Sequence, residues 1–136
     1  MTLVLDTSFV VGLMIATDAD HVSARDWFET VDEDLVTSPL AIAEMDQVIS
    51  GRGGDRARAA LWANLDSGLV AVRWWADALT ETLTIARRQP FLGLADASLA
   101  AVAHRVGTVR IATFDTHFRS VAVPGHEPFK LLPADA

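Results

Sequence analysis

Carboxylates stand inside or at the ends of the most apolar stretches of this chain, and that placement limits how it can fold. Asp6 closes the run Thr2-Leu3-Val4-Leu5, and Asp115 follows Val109-Arg110-Ile111-Ala112-Thr113-Phe114. Asp96 interrupts the apolar stretch 92–103, and Glu44 sits between Leu40-Ala41-Ile42-Ala43 and Met45. Taking an ionised carboxylate out of water costs several kcal/mol unless a charge partner or a metal compensates it. No lysine or arginine lies within two residues of Asp6, Glu44 or Asp96, so the compensating cation comes from a distant part of the chain or from solution. A shared divalent-metal site is the leading expectation.

Around these acids, short apolar runs alternate with segments of helical spacing. Strands are expected at 3–5, 35–37, 69–73, 109–114 and, more weakly, 129–132. Asp18 or Asp20 is expected to cap a helix through Trp27 and Phe28. Ser38-Pro39 opens the helix carrying Glu44, with proline at a first-turn position where its missing N–H costs nothing. Gly51-Arg52-Gly53-Gly54 reads as a loop ending that helix, followed by helices over 55–65 and 76–88 and by one around Asp96 that Gly107 closes. Strands and helices in alternation predict a single α/β domain over 1–136. Its central parallel sheet would have about four to five strands with helices on both faces. Ligands of such sheets bind beyond the carboxyl ends of strands. Asp6 and Asp115 both stand there, a second reason to group them.

Composition narrows the classes. A chain of 136 residues that is 51% hydrophobic and 21% charged is long enough and apolar enough to bury a core. The absence of cysteine removes disulfides, thiolate zinc sites and cysteine nucleophiles. Asp6 breaks the first apolar run, no lysine or arginine precedes Arg25, and the run 9–16 is far too short to span a bilayer, so a cytoplasmic protein is expected. The net charge of −7 argues against a general nucleic-acid coat, although four of those charges belong to the acids already named.

Simpler roles compete with the metal. Asp6 and Asp96 suit helix N-caps and Asp115 suits a turn. Glu44 lies mid-helix, where capping does not explain it. Asp46, two residues on, points roughly 200° away from Glu44 on a helix, and both have apolar neighbours at helical spacing. Periodicity does not choose between them.

The order Leu5-Asp6-Thr7-Ser8, Ala43-Glu44, Leu94-Ala95-Asp96-Ala97 and Thr113-x-Asp115-x-His117-Phe118 resembles the PIN domain, and more narrowly the VapC toxins of bacterial toxin–antitoxin pairs. The resemblance spans nearly the whole chain. It implies a Rossmann-like parallel sheet and a Mg²⁺- or Mn²⁺-dependent endoribonuclease in which Asp6, Glu44, Asp96 and Asp115 are the catalytic, metal-holding acids for one or two ions. Water activated by the metal would attack a phosphodiester of structured RNA, either tRNA or rRNA, and so block translation and growth. Many relatives carry a further acid just after the position of Asp96, where this chain has Ala97, Ser98, Leu99 and Ala100. The implied partners are a cognate VapB-type antitoxin, which lays an amphipathic segment across the toxin and often sends a basic side chain to the acids, and a second copy of the chain.

Supporting roles are expected for Ser8 beside Asp6, for Thr113 on the strand face of Asp115, and for His117, which either orients the Asp115 turn or meets RNA. Arg52, Arg56 and Arg119 are candidate RNA contacts that compete with an ordinary solvated face. Asp18-Ala19-Asp20-His21 reads as capping, and Trp27, Trp62, Trp74 and Trp75 read as core, with one of the adjacent pair exposed if the strand continues through them. The alternative to a nuclease is a PIN-like binding module acting only through its partner surface, motivated by the acidic charge and the missing fifth acid. Saturable Mn²⁺ binding that depends on the four acids separates the two.

Overall fold

Leu3, Val4 and Leu5 are all buried, as a strand covered on both faces requires, and they form the middle of a five-stranded parallel sheet. The computed structural model describes residues 1–136. In chain order the elements are β1 (Thr2–Leu5), α1 (Thr7–Met14), α2 (His21–Phe28), β2 (Asp34–Thr37), α3 (Pro39–Asp66), β3 (Val70–Val72), α4 (Ala78–Arg88), α5 (Leu94–Val106), β4 (Arg110–Ala112), a 3₁₀ turn (Thr116–Ser120) and β5 (Lys130–Leu132). The strand order is β3-β2-β1-β4-β5, with Leu3 beside Leu35 and Leu5 beside Ala112. Two crossovers therefore step one way from β1, and the third returns past it to β4. Because such crossovers are right-handed, α1, α2 and α3 cover one face and α4 and α5 the other. The contacts agree: α1 packs on α2 and α3, while α4 packs on α5. Phe9, Met45, Ile49, Leu99, Ile111, Phe118 and Leu132 fill the fully buried core.

The reversal of strand order falls between β1 and β4, which makes the gap at their carboxyl ends the sheet's switch point. Asp6 follows β1 there, its N–H donating to Ala112 O at 3.0 Å. Ser38 caps α3 by accepting from the Ala41 N–H, with Pro39 at the first helical position, as expected. Gly107 closes α5 in the left-handed conformation. No helix is long and apolar enough to cross a membrane.

Three expectations need correction. The glycine cluster is not a loop: helical structure continues through it, and the break between the two halves of α3 is confined to Gly54, at φ 72° and ψ −167°. That conformation is essentially reserved for glycine, so one residue does the work of a turn. The tryptophans are not all core. Trp27 and Trp75 pack against it, but Trp62 is 52% exposed because its Nε1 donates to Asp46 at 2.7 Å and its ring carries the Arg58 guanidinium at 4.5 Å. Finally, β3 ends at Val72, so Trp74 and Trp75 lie beyond the strand, with Trp74 turned outward.

Candidate metal centre

Four distant segments deliver carboxylates to the switch point. One oxygen each from Asp6, Glu44 and Asp96 lies within 4.8 Å of the others, and Asp96, Asp115 and a His117 ring nitrogen form a second such group. Asp96 belongs to both, so the acids surround it. The two strand ends supply Asp6 and Asp115, α3 supplies Glu44, and the first turn of α5 supplies Asp96. Burial is unequal. Asp6 is buried, Asp96 and Asp115 are half-buried, and Glu44 is exposed at the rim, which departs from the expectation that all four leave water.

The local bonds separate Asp6 and Asp96, which cap nothing through their side chains, from Asp115, which caps the 3₁₀ turn. Asp6 occupies the position before α1 without capping it through its side chain. Instead its Oδ2 accepts from the Ser8 and Thr113 hydroxyls, each at 2.7 Å. Ser8 Oγ in turn accepts from the Phe114 N–H, and Thr113 Oγ1 from the Asp115 N–H, each at 2.9 Å. The same two hydroxyls thus hold a carboxylate and fix the backbone that carries the next one. Asp96 lies three residues after the α5 cap, Gly93, and also makes no cap bond. Asp115 does form a turn: its Oδ1 accepts from the His117 N–H at 2.9 Å, and His117 Nδ1 lies 3.2 Å away.

Electrostatics follow from this crowding. Burial pushes the Asp6 carboxyl up, against the pull of the Thr113 and Ser8 hydroxyls. Burial first, then the charges of Asp6, Asp115 and Glu44, lift Asp96 to about 7. No lysine or arginine ion-pairs with any of the four. Asp96 therefore holds its proton close to neutrality unless an external cation replaces it. Its donors are all carboxylate oxygens with one imidazole at the edge, a set suited to a hard divalent cation.

Asp46 is removed from the contest with Glu44 by geometry. Its two oxygens accept from Arg58 Nε and Nη2 at 2.9 and 3.0 Å, with Trp62 alongside, tying the two halves of α3 across Gly54. Among the candidate basic contacts, Arg52 reaches the acid pocket, two turns beyond Glu44 on the same helical face, and Asp18 Oδ2 holds its Nη1 at 2.6 Å. Asp18 also accepts from the Asp20 N–H at 2.9 Å, a bond of the turn before α2, and Asp20, at the cap position, makes no side-chain cap bond, so neither aspartate caps that helix as expected; the second Asp18 oxygen serves Arg52. Arg56 is exposed and does not line the pocket, and Arg119 is gripped by both oxygens of Asp135 at 2.7 Å. Phe91, beside His117, was not indicated by the sequence at all, since a lone phenylalanine in a turn has no periodic signal.

Known proteins resemble this chain in sequence and in fold. The chain is 27% identical to Ribonuclease VapC26 of Mycobacterium tuberculosis, over 96% of this chain and 100% of that protein. The crystal structure of VapC20 from Mycobacterium tuberculosis, a sarcin–ricin loop cleaving toxin, superposes with a TM-score of 0.78 at 26% identity, covering 84% of this chain and 90% of that one. VapBC2 from Rickettsia felis, bound to a DNA fragment from its promoter, shares the fold at a TM-score of 0.66 and 14% identity, covering 96% and 97%. The family model of the PIN domain matches residues 3–124, which takes in all four acids and every strand but the last. The chain belongs to the PIN domain family.

Proposed function

We propose that this protein is a divalent-metal-dependent endoribonuclease, the toxin of a type II toxin–antitoxin pair, cleaving structured RNA and so stopping translation. The observation that carries the reading is the trio of carboxylate oxygens from Asp6, Glu44 and Asp96 within 4.8 Å at the sheet's switch point, with no cation from the chain between them. Asp6, Glu44, Asp96 and Asp115 would hold one or two Mg²⁺ or Mn²⁺ ions. Such an ion supplies positive charge that makes water a stronger nucleophile and offsets charge developing on phosphate oxygens. The chain's own residues do the positioning. Ser8 and Thr113 fix the Asp6 carboxylate and the His117 backbone fixes Asp115, while Arg52, which lines the acid pocket, would meet a neighbouring phosphate of the strand.

A relative that cleaves the sarcin–ricin loop makes that loop of ribosomal RNA the first substrate to test, with tRNA beside it. A VapB-type antitoxin and a second copy of this chain are the proposed partners. Mapping new 5′ ends in cellular RNA after brief induction, against Asp96→Ala, tests the reading. Discrete cuts absent from the variant are expected, and identical maps for the two proteins would overturn it.

A further inference from the structure

Phe91 is an aromatic side chain left in water on a turn that is otherwise pinned. Gln89, two residues before it, is buried and clamps Ala122: its Nε2 donates to Ala122 O and its Oε1 accepts from the Ala122 N–H, each at 2.9 Å. Leu92, the next residue, is also buried, and its N–H donates to Gln89 O at 2.9 Å. Phe91 itself is 47% exposed, so the turn holds its ring outward and forgoes the gain from burying it. The ring meets His117 edge to face, centroids 6.2 Å apart at 72°, and His117 belongs to the group formed with Asp96 and Asp115. Leu94, also exposed, opens the helix that carries Asp96 two residues later. An apolar, aromatic ledge therefore adjoins the acid cluster.

We propose that Phe91, steadied by the edge of His117, is the stacking platform for one unpaired base next to the scissile phosphate. The inference rests on the ribonuclease reading and adds to it how the RNA is held. Charge favours a base over a backbone phosphate here. The chain carries −7 overall, and the acid pocket has a single basic side chain, Arg52, so phosphate contacts supply little of the affinity. Every base has an apolar π-face that stacks on an aromatic ring regardless of sequence, and loops of structured RNA present such splayed bases. The substrate is accordingly single-stranded at the cut. An apolar side chain of a protein partner is the competing occupant, and it would not distinguish an aromatic ring from an aliphatic one of similar size.

The test compares Phe91→Ala, Phe91→Leu and Phe91→Trp with the wild type, counting new 5′ ends on total cellular RNA at varied RNA concentration, with Mn²⁺ calorimetry in parallel. Phe91→Ala should raise the apparent KM about tenfold with kcat nearly unchanged, the loss expected for one stacked base. Phe91→Leu should be no better than Phe91→Ala, Phe91→Trp should match the wild type, and all should bind Mn²⁺ alike. A Phe91→Ala KM close to the wild type's overturns the platform, and so does a Phe91→Leu protein as good as Phe91→Trp. A wild type that cuts no RNA removes the ribonuclease reading and this inference with it, whereas an active wild type with indifferent variants removes only the inference.

Discussion

Asp6 accepts two hydroxyl bonds on one oxygen, from Ser8 and Thr113, and those hydroxyls lie 3.2 Å apart. Removing either leaves a buried carboxylate less well oriented and harder to ionise. Thr113→Val and Ser8→Ala should each weaken Mn²⁺ binding about tenfold, as measured by calorimetry, while far-ultraviolet circular dichroism stays unchanged. Protonation gives a second prediction. Asp6 and Asp96 are both raised, Asp96 to about 7, so the folded state binds protons more tightly than the unfolded chain. The Asp96 contribution to stability is fully present below the ordinary carboxylate range and is lost as pH rises through about 7, and the Asp6 contribution has the same sign. In a chelating buffer these groups should lower the thermal midpoint between about pH 5 and pH 8, the reverse of an ordinary ion-paired aspartate. Saturating Mn²⁺ should remove that trend, and its affinity should fall about tenfold per pH unit below 7 for each proton displaced. A chelated protein that gains stability across that pH range would contradict the sign. At this scale the sequence was informative where an acid interrupts an apolar run, as at Asp6 and Asp96. It was silent between Glu44 and Asp46, because the partners that claim Asp46, Arg58 and Trp62, come from beyond a kink that periodicity does not reveal.

The elements were legible in kind and blurred at their ends. Strands of three or four residues carry little pattern, so the apolar runs 69–73 and 109–114 overrun β3 and β4, whereas Ser38-Pro39 and Gly107 mark their helix ends because caps depend on single residues. The glycine cluster misled because several glycines together suggest a loop, although only Gly54 leaves the helical region. Its backbone conformation is closed to residues with a Cβ, so Gly54→Ala should cost about 1–3 kcal/mol. That corresponds to a loss of several degrees in Tm by differential scanning calorimetry. Because the kink also sets the direction of the second half of α3, with Arg58 and Trp62 on it, the same substitution should disturb the Asp46 clamp more than the acid pocket. Mn²⁺ affinity should change less than threefold or so, and a larger loss would mean that the kink positions Glu44 as well.

Over the whole molecule, the parallel sheet was readable from the alternation of elements, but its strand order was not. Nothing local in residues 109–114 says that β4 pairs beside β1 rather than beside β3; that choice belongs to the packing of α4 and α5 on the opposite face. The strand order matters because it creates the switch point and brings Asp6 and Asp115 to one gap. A fold that gathers four acids without an internal cation is held in tension, and a ligand that binds only the folded state stabilises it by mass action. At about a hundred times its Kd, Mn²⁺ should add roughly 2.7 kcal/mol and raise Tm by on the order of 10 °C. The most direct test of the central claim is titration calorimetry of Mn²⁺ into the wild type and Asp6→Asn, an isosteric change that keeps a hydrogen-bond acceptor for Ser8 and Thr113. Saturable binding by the wild type that is lost in a folded Asp6→Asn protein is the predicted result. Equal binding by both, or none by the wild type, would contradict it.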